Sequence, residues 1–434
     1  MPFIHRFAVV ATALAGSVAC LHAQRPNAEQ VDRAHRILAQ AREDLKKYYY
    51  DSTFGGQDLD ARYRAVDASL DSQPTVQHLF GAIAQFFFDL GDSHTVFHPP
   101  SRAATVQYGF GWRVVGDKFF VAWVTNGSDA AKKGLAVGDE VVSVDGIPGI
   151  RRNRYLIPYL YYSLSPRPGM RLVVRKPDGT EQQLDVMAKV TPRQRVIDLT
   201  SQQVISVLIE EDQQALAQRR HRWTSLGDTA LVWTFPSFAV TDDVAISEMM
   251  ARARRHRALI LDLRGNGGGA VVTMLHLLGH FFDRETRIAT LRFRDSTEYE
   301  VAQPVGPAPF TGTCIVLIDA GSASASEATA RTLQLEGKAT VVGDRSAGAL
   351  MTSITFRHSL GHDKRLTYAF QITVQDVILN DGMRREVIGV EPEFYVLPTG
   401  ADLAAGRDPQ MAKALALVGI TRTPEAAAKL YDRR

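Results

Sequence analysis

Cysteine is nearly absent from this chain: there are two in 434 residues, Cys20 and Cys314. That excludes a disulfide framework and any metal site built from cysteines. Neither sign of charge dominates. The net charge is +3 with 22% charged residues, so the basic surface of a nucleic-acid-binding protein is missing. Beyond the N-terminus no apolar run is long enough to span a bilayer. Gly-Lys-Ser/Thr is absent too, which removes a phosphate-cradling P-loop. What is present is length, enough for two or three domains with their own cores.

The one long apolar run, Phe7 to Leu21, stands behind Arg6. It is short for a membrane span and has the length of a signal-peptide core. Residues 1–23 therefore read as a signal peptide cleaved after Ala23, and the protein as exported, periplasmic or extracellular. Ser17-Val-Ala-Cys20 keeps a second outcome open, membrane association through a lipid anchor on Cys20.

Residues 24–103 read as a helical cap. Val31, Ala34, Ile37, Leu38 and Leu45 predict a helix from Asn27 to Tyr50, and Leu79, Ile83, Phe86 and Phe87 a second from Thr75 to Leu90. After Gly91 comes Asp92-Ser93-His94-Thr95. A lone loop histidine is ordinarily structural, whereas one that faces a nucleophile is a general base.

Residues 104–190 read as a small β module, with strands predicted at Val106 to Gly116, Lys118 to Thr125, Glu140 to Val144 and Arg171 to Lys176. Gly127-Ser-Asp-Ala-Ala-Lys-Lys-Gly134 and Gly138-Asp139 through Asp145-Gly146 set a one-turn helix and tight turns between them. This pattern resembles a circularly permuted PDZ domain. The resemblance implies that Tyr108, Gly109, Phe110 and Gly111 form the carboxylate-binding loop for a peptide C-terminus. A module serving only as lid or spacer is the other reading.

In residues 191–434, strand, helix and strand alternate from Asp228 onward, and Ala258 to Leu263 opens into Arg264-Gly-Asn-Gly-Gly-Gly269. Four glycines in five residues let the backbone approach a ligand and turn N–H groups inward. An apolar strand from Cys314 then leads to Ala320-Gly-Ser-Ala-Ser-Ala-Ser-Glu327 and a helix. A serine at a helix N-terminus sits where a developing oxyanion is favoured. Ser324-Ala-Ser-Glu327 equally fits a capping box.

Asp262 to Gly269, Gly321 to Glu327, Val342-Gly-Asp344 and Gly389-Val-Glu-Pro392, in that order, resemble the tail-specific (carboxyl-terminal processing) and tricorn-core serine proteases. The resemblance implies an α/β fold, a ClpP/crotonase-like β-α-β protease core with an N-terminal helical cap and an inserted PDZ-like β module. It implies Ser324 as nucleophile. The lysine base of the tail-specific branch has no counterpart, because Ala349 occupies its place. The tricorn-like branch implies instead His94 as base, Ser93 and Glu386 orienting it, and the N–H groups of Gly268 and Ala325 as oxyanion hole. No cofactor and no metal is expected, the partner is a polypeptide substrate, and oligomerisation stays open. The alternatives are a silent member that holds peptides or apolar ligands, and an envelope scaffold that recruits a separate protease.

Overall fold

The computed structural model describes residues 25–100, 104–192, 221–361 and 366–430. The signal-peptide reading, Cys20 and His362 lie outside them. Among the described residues no helix is long and apolar enough to cross a membrane.

The catalytic-core segment is built on a six-stranded sheet. Its strands run in the order Arg222–Leu226, Ala230–Thr234, Ala258–Asp262, Thr313–Ile318, Thr340–Gly343 and Phe394–Tyr395. All pairs after the first are parallel, in registers such as Ala258↔Thr313 and Ile315↔Thr340. Parallel strands need cover on both faces, which is why these read as unbroken apolar runs. Alternate residues divide between two cores. Leu231, Trp233, Leu259, Leu261, Val316 and Ile318 face the helices Asp243–Ala253, Val271–Gly279 and Ala325–Leu335. Val232, Ile260, Ile315, Leu317 and Val342 face Met411, Ala414 and Leu415 of the helix Pro409–Leu417.

The helical cap is formed by Ala28–Tyr48, Leu59–Leu70 and Val76–Phe88. The middle helix carries no clear apolar stripe, and periodicity did not find it. The cap is not a separate body. Its strand Val96–His98 pairs with the long strand Leu366–Leu379, so Phe97 and Phe370 share one core with the helices. On its other edge that long strand pairs with Met351–Leu360. His358 lies in this strand and bonds Asp44 at 2.7 Å.

Residues 104–192 make an antiparallel sheet of Phe110–Val115, Lys118–Val124, Glu140–Val144, Gly169–Arg175 and Glu181–Met187, with its own core. The ribbon Ala104–Gln107/Lys189–Pro192 brings the module's two ends together, as an insertion requires. Val106 to Gly116, expected as one strand, is broken at Tyr108-Gly109, where Gly109 takes φ +76°. The module is latched to the core. Arg151 reaches Asp344 at 2.6 Å with both side chains buried, and Gly116 N–H donates to the same carboxylate at 2.8 Å. The terminal segment forms three short helices, Gly400–Ala404, Pro409–Leu417 and Pro424–Ala428. Gly406, Gly419 and the two prolines break it.

Candidate active site

The serine turn follows the strand Thr313–Ile318 and is pinned by Asp319. The Asp319 carboxylate accepts the N–H of Gly265 at 2.8 Å and of Gly321 at 2.9 Å, tying the glycine-rich loop to the turn. Arg113 of the inserted module bonds the other oxygen at 3.1 Å. Two of the three serines are consumed by structure. Ser322 Oγ donates to Leu263 O and Ser326 Oγ to Asn266 O, each at 2.8 Å, and both residues are fully buried.

Ser324 differs from both. It is part-exposed, with φ +55° and ψ −118°, a conformation that non-glycine residues rarely adopt. Its hydroxyl makes no side-chain cap hydrogen bond. Asn27, Thr75, Ser128 and Thr423 all cap their helices with the side chain. The outline of a capping box survives in one arm, where the Glu327 carboxylate accepts Ser324 N–H at 3.0 Å. Glu327 N–H goes to the Ser324 carbonyl oxygen at 2.9 Å. Ala325 N–H has no partner among the described residues. Gly268, the other oxyanion-hole candidate, lies beside the serine turn. Its N–H already donates to Asn266 Oδ1 at 2.9 Å. Its φ is +91°, and a Cβ there would lie 2.7 Å from Ser324 Cβ, so this glycine makes room for the serine.

Glu386 collects the remaining residues. Its carboxylate accepts Ser93 N–H at 2.7 Å and Leu350 N–H at 2.9 Å. Ser93 Oγ in turn meets His94 Nδ1 at 2.7 Å. Ala349 O accepts Ser324 N–H at 3.0 Å, so the chain continues from Leu350 to the serine turn. Among the described residues no hydrogen bond joins Ser324 Oγ to the His94 ring. Burial pushes the His94 imidazole below its ordinary range, opposed by the Asp92 charge. Burial pushes the Glu386 carboxyl up, opposed by its bonds to Ser93 and Leu350.

Four positioning residues escaped the motif reading. Asp92 Oδ1 accepts the N–H groups of His94 and Thr95 and the Thr373 hydroxyl, at 2.7–2.9 Å. An aspartate two and three residues before those donors is the signature of an Asx turn, which the sequence did offer. Asn266 and Asp319 make the same kind of bond, accepting the N–H groups of Gly268 and Gly321 two residues on. Glu327 takes four donors on one buried carboxylate: Ser346 Oγ and the N–H groups of Gly348, Ala349 and Ser324.

Tyr108, Gly109 and Phe110, but not Gly111, border a different feature, a groove of about 840 Å³. The rings of Tyr108 and Phe110 are core residues, the Tyr108 hydroxyl donating to Arg167 O at 2.9 Å. That leaves the backbone of this segment, not those rings, to meet a ligand. The groove shares no lining residue with the Ser324 turn. Among the described residues no group of His, Cys, Asp and Glu could hold a metal ion.

Residues 231–396 match the family model of peptidase family S41. The carboxyl-terminal-processing peptidase 3, chloroplastic, of Arabidopsis thaliana is 23% identical over 336 residues, 74% of this chain and 62% of that protein. The carboxyl-terminal-processing protease of Picosynechococcus sp. is 31% identical over 142 residues, 32% of this chain and 33% of that protein. The match thus spans only part of each curated relative. Among solved structures, mature CPAF complexed with lactacystin has a TM-score of 0.66 at 17% identity, covering 94% of this chain and 100% of that one. At that identity the likeness concerns the fold.

Proposed function

Because this chain carries a peptidase family S41 domain at residues 231–396, we propose that it is an exported serine endopeptidase that cleaves polypeptides through an acyl-enzyme on Ser324. Ser324 Oγ attacks the scissile carbonyl carbon while His94 Nε2 takes its proton. Ala325 N–H receives the oxyanion at the helix N-terminus. The tetrahedral intermediate collapses, His94 protonates the departing amine, and water repeats the sequence on the acyl-enzyme. Glu386, bonded through Ser93, holds the ring and offsets the charge it gains. The substrate class is a disordered protein or C-terminal tail, with the module's Tyr108 to Phe110 groove as a docking site for a peptide end.

One observation carries this reading. Among the described residues, Ser324 is the one serine of the three in the turn whose hydroxyl makes no hydrogen bond, and it sits one hydrogen-bonded chain away from Glu386, Ser93 and His94. A second reading, a silent peptide-binding member, is favoured by Ala349, which cannot accept a proton where the tail-specific branch has its lysine. A fluorophosphonate serine probe read by intact mass separates the two. Labelling of the wild type that is lost in Ser324→Ala and falls by several orders of magnitude in rate in His94→Ala supports the peptidase. An unlabelled wild type supports the binding protein, and near-normal labelling of His94→Ala overturns the histidine base.

A further inference from the structure

The seam between module and core holds a cation that makes no ion pair among the described residues. Arg151, Arg154 and Arg345 crowd there against two carboxylates, Asp344 and Asp117. Asp344 pairs with Arg151 at 2.6 Å, and Asp117 lies 3.8 Å from both Arg151 and Arg345. Arg154 has no acidic partner within ion-pair distance among the described residues. It donates instead to two carbonyl oxygens, those of Arg151 and Ala347. Its Nε–H is shielded from water yet bonded to nothing. A buried donor left unmade is destabilising, so an arginine acting only as a strut would ordinarily be given an acid, as Arg151 is.

The position of this charge matters. Ala347, which Arg154 touches, donates its N–H to Ser322 O in the serine turn. Ala347 packs with Ala323 and Ala349 in a cluster of small side chains around Ser324. Tyr155 lies under the Arg154 guanidinium at 4.4 Å and feels the charges of both Glu327 and Glu386. It is 45% exposed, an aromatic at the rim of the site. The tail-specific branch would carry a cation on the core at position 349. Here the floor is alanine and a cation arrives from the module.

We propose that Arg154, backed by Tyr155, is a carboxylate-binding subsite beside Ser324 that selects the peptide held there. A guanidinium presents paired N–H groups that match a carboxylate in geometry and charge. That carboxylate comes either from an Asp or Glu side chain near the bond to be cut or from the peptide's own C-terminus. The proposal rests on the reading that the Ser324 cleft holds peptide, though not on turnover.

The test is therefore a binding measurement on full-length Ser324→Ala, which separates it from the labelling assay above. Fluorescein-labelled alanine-valine-phenylalanine dodecapeptides carry one Asp walked through each position, with matched Asn peptides, each as C-terminal acid or amide. We expect one Asp position, or the free-acid arm, to bind about tenfold tighter than its neutral match by anisotropy. Arg154→Gln should bring that ratio to near one, and Arg154→Glu should transfer the preference to a Lys peptide. Arg154→Lys should restore part of it. Circular dichroism confirms that each variant is folded. An acid-to-neutral ratio of one in the parent, or a ratio unchanged in folded Arg154→Gln, overturns the subsite. Loss of all peptide binding, acid and neutral alike, in folded Arg154→Gln overturns it as well, since selectivity alone should change.

Discussion

The Glu327 carboxylate accepts the N–H of Ala349 at 2.8 Å, joining the helix of the serine turn to the loop that faces it. The same group holds Gly348 N–H at 2.7 Å and Ser324 N–H at 3.0 Å. A fully buried carboxylate is unfavourable unless each oxygen is well supplied with donors, and this one is. It fixes the nucleophile's backbone and the facing loop with one side chain. Glu327→Gln places an NH₂ against N–H donors. It should lower stability by about 3 kcal/mol, read by urea unfolding, and slow probe labelling of Ser324 in the folded fraction.

The pH dependence follows from His94. A base must be neutral to accept a proton, and burial disfavours the imidazolium. The neutral form therefore persists further into acid than for a free histidine. The acid limb of the kcat/KM profile should turn below 6.5, the ordinary value. The Asp92 charge opposes this shift, so Asp92→Asn should move the inflection to still lower pH. An inflection above 6.5 in the wild type would contradict the environment described for His94.

Gly268 supplies a steric prediction. A methyl group there meets Ala323 O and Ser324 Cβ, each at 2.7 Å, on a backbone with φ +91°. Gly268→Ala should reduce the rate of Ser324 labelling by about 10²-fold, the scale set by small displacements of reacting groups. Gly265→Ala is the control. It has φ +70° but nothing within 4 Å, so it should cost only backbone strain, about 1–2 kcal/mol, seen as a lower Tm.

Arg151 and Asp344 make the module–core latch testable. Removing one member of a buried, hydrogen-bonded pair leaves the other uncompensated. Arg151→Ala should destabilise the folded protein by about 3–5 kcal/mol. Because the two side chains act together, the Arg151→Ala/Asp344→Ala double variant should cost less than the sum of the singles. Additive losses in a double-mutant cycle would show that the latch lies elsewhere.

Much of the scaffold is legible in the amino-acid order. The stripe from Val31 to Leu45 predicts Asn27 to Tyr50, and the helix runs Ala28–Tyr48; the phenylalanines near 86 predict Thr75 to Leu90, and the helix runs Val76–Phe88. Strongly amphipathic helices announce themselves because one face must be buried. Leu59–Leu70 does not, since only Leu59 and Leu70 of it are buried. The motif residues Ser93, His94, Ser324 and Glu386 are named by resemblance, whereas their supports Asn266, Asp319 and Glu327 are ordinary polar residues whose importance is only geometric. Asn266 is an acceptor for Gly268, and nothing in a string of letters says which way its amide points. The seam arginines are likewise invisible until Arg151 and Arg154, three apart in sequence, are seen to have different partners.

The bond from Ser93 to Glu386 spans 293 positions. During synthesis the histidine arm leaves the ribosome early, the serine turn much later, and Glu386 later still. A nascent chain that has emerged only as far as residue 380 has a nucleophile and a base but no anchor for the arm between them. Under the proposed chemistry, such a chain cannot cut its neighbours, or itself, until Glu386 has been made and has reached Ser93.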